Sequence, residues 1–116
     1  QVVEEEEEDD EAQVFVIVED MPEFPGGQLE LQKWIARSIK YPVIAQENGI
    51  TGRVFVTFVV NKIGGVEQVR VVRGVDPSLD KEAIRVINKM PKWKPGKQRG
   101  KAVKVSYTVP INFQLQ

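Results

Sequence analysis

The last stretch of this chain constrains its fold more than any other. From Ala102 to Gln116 apolar and polar residues alternate. Val103, Val105, Tyr107, Val109, Ile111, Phe113 and Leu115 share one parity, and Lys104, Ser106, Thr108, Asn112 and Gln114 hold the other. A period of two sustained this long makes a strand with one face in a core and one in water. Pro110 sits inside it, on the parity of Lys104, Ser106 and Thr108. A proline nitrogen cannot donate to a ladder, so such a strand has an open side or a bulge there. If the proline parity points its backbone groups outward, the missing donor costs the sheet nothing, and pairing by a guest ends near Pro110. An open side on a long strand is a template for another chain. Binding by strand addition is therefore the first functional expectation.

The rest of the chain supplies what such a strand packs against. Val14–Val18 is a short β-branched apolar run and reads as a strand. Asp20 to Gly27 is rich in proline and glycine and reads as a loop. Gln28 to Lys40 carries Leu31, Trp34, Ile35 and Ile39 at helical spacing. Pro42 breaks that pattern and opens a second, short helix to Asn48, with Gly49 as its stop. Arg53–Asn61 puts Val54, Val56, Phe58 and Val60 on one face and Phe55 and Val59 on the other. Apolar residues on both faces indicate a central strand. Asn61 to Gly65 reads as a hairpin turn, and Val66–Arg73 as the returning strand. After Asp76 and Pro77, residues Leu79, Ala83, Val86, Ile87 and Met90 form a helical stripe that Pro91 ends. Gly96 and Gly100 turn the chain into the last strand. The expected fold is α+β: two layers, a three- to four-stranded mainly antiparallel sheet, and helices on one face.

Charge divides the chain unevenly. Of 17 acidic residues, eight form the run Glu4–Glu11. Residues 12–116 then hold nine acids against all 16 basic residues, a net charge of +7. The expected organisation is a disordered acidic linker end over residues 1–12 and one domain over residues 13–116. The longest apolar runs, Val14–Val18 and Val54–Val60, are too short to span a bilayer. The chain lacks an initiating Met and a signal peptide, and it reads as a piece of a longer protein.

Composition removes much chemistry. There is no histidine and no cysteine, hence no thiol chemistry, no imidazole base and none of the usual zinc sites. No catalytic residue, cofactor or metal ligand is expected. Asp76, Asp80 and Glu82 cluster at a helix start, where acids favour the dipole without any catalytic role. The pairs Gly26-Gly27 and Gly64-Gly65 lack the spacing of a phosphate loop. Lys89–Lys104 holds seven basic residues around Trp93. That pattern gives a competing reading, a single-stranded nucleic-acid module, in which Trp93 is a stacking platform. The bland reading puts Trp93 in the core. The expected sheet lacks an outward aromatic pair, since Tyr107 and Phe113 lie on the apolar parity. No nucleic-acid partner is therefore expected, and steep salt dependence would reveal one.

Several stretches together resemble a known family. They are Tyr41-Pro42, Ala45, Gly49-Ile50, Gly52-Arg53-Val54, Gly74-Val75-Asp76-Pro77 and Leu79 to Ala83. Pro91-Lys92-Trp93-Lys94-Pro95-Gly96-Lys97 and Val105 to Phe113 complete the set. Residues 41–115 resemble the carboxy-terminal domain of TonB, the energy transducer of Gram-negative envelopes. The segment Phe15–Lys40 is similar to the longer form found among Bacteroidetes-type members.

The resemblance implies a periplasmic domain on a long linker from an inner-membrane helix, driven by inner-membrane motor proteins through the proton gradient. It implies binding to the TonB box of outer-membrane transporters and transmission of force to their plugs. By position it places the box-binding edge at Lys101, Ala102, Val103, Lys104, Val105, Ser106, Tyr107 and Thr108. In enterobacterial members a glutamine-rich segment before the Tyr-Pro pair also touches the transporter. Here those positions are Ser38, Ile39 and Lys40, in an expected helix, and that contact is not carried over. Similar domains also occur fused to membrane sensors or peptidases, which is a second context. The added amino-terminal strand can take a free edge of the sheet, the binding edge included.

Overall fold

The computed structural model describes residues 13–115, so the expected linker end at residues 1–12 lies outside the described residues. In chain order the elements are β1 (Val14–Phe15), α1 (Gln28–Ser38), α2 (Val43–Glu47), β2 (Gly52–Val60), β3 (Val66–Arg73), α3 (Pro77–Asn88), β4 (Gly96–Gln98) and β5 (Lys101–Phe113). β5 runs antiparallel to β2 in unbroken register from Val60↔Val105 to Gly52↔Phe113. β3 pairs antiparallel with the other side of β2, giving the order β1-β5-β2-β3. β2 is thus central, as its two apolar faces require, and Thr57 and Val59 are buried on its second face.

The fold class is α+β. Val54, Val56, Phe58 and Val60 of β2 face the same core as Val109, Ile111 and Phe113 of β5. Leu31 and Ile35 of α1, Ala45 of α2, and Leu79, Ala83 and Ile87 of α3 close that core from one side. α3 begins where Asp76 accepts the Ser78 N–H at 3.0 Å, with Pro77 at the first helical position. Asp80 accepts the Val75 N–H at 3.0 Å. These two acids bind backbone at the helix start. No helix among the described residues is long and apolar enough to cross a membrane.

Two strands differ from the expectation. β1 is only two residues long, because Val18 turns inward to pack with Val103, Val105 and Phe15 in a small second core. Val16 and Ile17 are left 70% and 82% exposed. β4 occupies a stretch expected to be only a turn. It pairs antiparallel with Lys101–Val103 through a two-residue connection, Arg99 and Gly100. Both have positive φ, 53° and 76°, the conformation a tight hairpin of this twist demands.

The hairpin between β2 and β3 is locked from two directions. Asn61 Oδ1 accepts from the Ile63 and Gly65 N–H groups, at 3.1 Å and 2.8 Å. The Gly64 carbonyl accepts the Trp93 N–H at 2.8 Å. Trp93 is 4% exposed. Its ring lies 5.6 Å from Phe24, 5.5 Å from Phe58 and 5.1 Å from Tyr107, in edge-to-face geometries.

Candidate functional site

The candidate site is the flank of β5 that faces away from β2. Thr57 shows which backbone groups lie there. Its hydroxyl donates to the Tyr107 carbonyl at 3.3 Å and accepts from the Thr108 hydroxyl at 3.2 Å. The Tyr107 carbonyl therefore lies on the β2 side. Thr57 and Thr108 face each other as a close pair whose main-chain groups point away from one another. By the period of two, Thr108, Pro110 and Asn112 direct their backbone groups outward. The missing N–H of Pro110, in register with Phe55, then removes nothing from the β2–β5 ladder.

Self-pairing divides the eight edge residues named from sequence. Lys101, Ala102 and Val103 pair with β4, on the flank that β2 takes from Val105 onward. Lys104 and Val105 pair in parallel with Val14 and Phe15 of β1. Ser106, Tyr107 and Thr108 pair with β2 on one flank. On the other flank, no strand among the described residues continues past Val105. The open stretch thus runs from Ser106 to Asn112, and it includes Val109, Pro110 and Asn112, which the sequence reading left out of the edge. Their signal was present in the same alternation. The edge named from the family resemblance stops at Thr108, whereas the alternation itself continues through Asn112.

α1 stands beside this open stretch. A groove of about 290 Å³ runs between them, lined by Leu31, Ile35, Ile39 and Val109 with Gln28, Gln32 and Asn112 among its polar groups. At one end Arg53 Nε donates to Asn112 Oδ1 at 2.8 Å. The Tyr107 hydroxyl donates to Gln28 Oε1 at 3.1 Å and ties the start of α1 to β5.

The far end of α1 is fixed by Glu82 of α3. Its carboxylate accepts the Lys40 N–H at 2.7 Å and two bonds from Arg85, each 2.7 Å. Arg85 also donates to the Ser38 carbonyl at 3.2 Å. Burial pushes the Glu82 carboxyl up. The Arg85 hydrogen bonds, the Lys40 N–H and the two positive charges together outweigh that, so it titrates below the ordinary range.

The basic stretch around Trp93 is built differently from a stacking surface. Its indole is in the aromatic core, and Tyr107 packs against it. The nucleic-acid reading loses the exposed ring it relied on.

Comparisons with known proteins bear on the family and the fold. The family described as Gram-negative bacterial TonB protein C-terminal matches residues 37–115. No curated protein matches the chain. Among solved structures, one solution structure of the Helicobacter pylori TonB C-terminal domain is 28% identical, with a TM-score of 0.59. The match covers 76% of this chain and 92% of that one. A longer form of the same domain is 28% identical, with a TM-score of 0.60 and coverage of 76% and 79%. The Pseudomonas aeruginosa TonB C-terminal domain is 27% identical, with a TM-score of 0.51 and coverage of 67% and 79%.

Proposed function

The chain belongs to the family of Gram-negative bacterial TonB protein C-terminal domains, and on that premise we propose that it docks outer-membrane transporters by strand addition. The guest is the TonB box, a short extended segment of the transporter. It completes the outward backbone groups of β5 between Ser106 and Asn112. The domain works in the periplasm, on a linker from an inner-membrane anchor. Motor proteins in that membrane deliver force through the linker, and the docked strand passes it to the transporter plug. It acts as an interaction domain without catalysis, a reading in keeping with a chain that has neither histidine nor cysteine.

One observation carries the reading: β1 stops at Phe15 and leaves the rest of that flank without a partner strand among the described residues. Each main-chain bond nets about 0.5–1.5 kcal/mol, and ordering a flexible guest opposes it. A handful of such bonds gives weak, reversible docking, which suits a domain that must engage and release. Main-chain pairing also reads little side-chain identity, so one domain can serve several transporters.

Proline substitution tests the edge. Proline at Thr108 removes an outward donor and the hydroxyl bond to Thr57, and leaves the main-chain β2–β5 ladder whole. Proline at Tyr107 removes a donor that faces β2 and destabilises the sheet. In calorimetry with peptides from transporter amino termini, Thr108→Pro should weaken binding while the thermal transition stays near wild type. Unchanged affinity in a folded Thr108→Pro protein would refute docking at this edge.

A further inference from the structure

The groove beside the open edge adds side-chain recognition to main-chain pairing. Residues paired across neighbouring strands send their side chains to the same face of the sheet. Val109 faces the helical layer and lines the groove together with Leu31 and Ile35. A guest residue paired with Val109 therefore drops its side chain between α1 and β5, whichever way the guest runs. The walls it meets there include Leu31, Ile35 and Ile39 beside the amides of Gln28 and Gln32, and no charged residue among the described residues lines the groove. α1 also lies almost wholly ahead of residue 37, where the family match begins. This wall is thus a feature of the chain's own amino-terminal segment.

Charge selects among possible occupants. Arg53 is held by Asn112 on the sheet face opposite the helices, beside the open edge, and it forms no ion pair with a carboxylate among the described residues. Residues 12–116 carry a net charge of +7. The same residues of a second copy bring the same positive excess to this edge, whereas a guest with a carboxylate near Arg53 is attracted.

We propose that α1 and β5 form a slot that selects extended peptides with an aliphatic residue paired to Val109 and an acidic residue towards Arg53. The inference rests on docking by strand addition and makes that docking selective. Seven residues, Ser106 to Asn112, are open, which at about 3.3 Å each accommodates a guest of roughly 23 Å. β1 closes the other end and acts as a stop that sets the guest's register.

The test uses the full chain and three synthetic nine-residue peptides. They share an alternating Thr/Val host with one Glu three residues from the centre, where it pairs with Asn112, and differ only at the central residue, which is Ile, Ala or Asp. Affinity is read by calorimetry, and the docking position from amide shifts in NMR. The Ile peptide should bind at least about tenfold more tightly than the Asp peptide, the scale expected for burying one aliphatic side chain. Ala36 lines the groove but is exposed, so Ala36→Glu changes the wall without touching the core. It should weaken the Ile peptide about tenfold while the Thr108 amide still shifts at saturation. Gln32→Glu is a second wall variant with the same expectation.

If all three peptides bind equally and shift Thr108, strand addition stands and the slot is refuted. If none shifts Thr108 or Asn112, strand addition itself fails and the slot falls with it. Shifts at these amides without peptide would overturn the proposed occupant. Growth of those shifts with protein concentration would identify a second copy. Loss of them in high salt, independent of concentration, would identify the chain's own acidic run.

Discussion

Replacing Glu82 by glutamine removes a charge and keeps the shape, and the consequences can be worked from the contacts. The carboxylate accepts three bonds, one from the Lys40 N–H and two from Arg85. A glutamine side chain retains one acceptor oxygen and turns an amide donor towards a donor. One Arg85 bond is lost outright. The Arg85 side chain is 36% exposed, so water takes up much of that loss, and about 1 kcal/mol is a fair share. The Lys40 N–H and one Arg85 bond share Oε2, so an oxygen kept there keeps both, whereas an amide nitrogen there strands the Lys40 N–H at a further ~1–3 kcal/mol. The lost stability at neutral pH is about 1 kcal/mol with the oxygen at Oε2 and at most about 2–4 kcal/mol with the nitrogen there.

The same substitution changes the acid limb. The folded carboxyl titrates below its unfolded value. Its contribution is therefore full above the unfolded value, about 4.3 for glutamate, and is lost as pH falls through the folded one. One such group gives a slope of at most about 1.4 kcal/mol per pH unit in that window. Urea unfolding of wild type and Glu82→Gln at pH 7 and at steps from pH 5 to pH 3 measures both effects. The variant should be less stable at pH 7 and should lose less stability on acidification. Parallel stability curves over the whole range would refute the role given to this carboxylate. Because α1 is one wall of the groove, the variant should also loosen amide protection near Ser38 and Lys40 before the sheet unfolds.

The remaining predictions concern packing. Gly64 has φ of 86°, and an added Cβ would lie 1.9 Å from the Trp93 carbonyl oxygen, so Gly64→Ala should cost at least about 1–3 kcal/mol, read from the thermal midpoint. Trp93→Ala removes a buried indole from the aromatic cluster and should cost about 3–5 kcal/mol in chemical unfolding; a change within 1 kcal/mol would contradict its place in the core. Val18→Asp forces a carboxyl into the small core of Val103 and Val105, at about 1–3 kcal/mol. It should release β1, seen as faster amide exchange at Lys104 with the β2–β5 amides unchanged.

What the sequence makes legible follows from how each element earns its pattern. β5 is plain because one face is buried along most of its length, and the period of two records that burial residue by residue. α3 is plain because Leu79, Ala83, Val86 and Ile87 all meet the core and Asp76 caps the start. β4 is not legible. Gly96, Lys97 and Gln98 carry no apolar alternation, and the hairpin they enter places a non-glycine residue, Arg99, at φ 53°. Helical periodicity in α1 identifies Leu31 and Ile35 as buried. It cannot say which strand flank the helix stands beside, since that depends on how the Pro–Gly loop before it crosses the sheet.

The extent of β1 is the instructive case. Val14-Phe15-Val16-Ile17-Val18 is made entirely of strand formers, and propensity alone would run it along β5 well past Val105. A continued strand would put Val16 and Val18 on one parity and Ile17 on the other, with Val18 beyond the reach of Val103 and Val105. Instead Val18 is buried against those two residues and the chain bends away at Val16. Burying one aliphatic side chain is worth about 1.5–3 kcal/mol, against ~0.5–1.5 kcal/mol for each added ladder bond. The anchor at Val18 therefore competes on equal terms with two or three further strand bonds. The accessible length of β5 is set by one side chain three residues past β1, and an edge that β-propensity would have closed stays open.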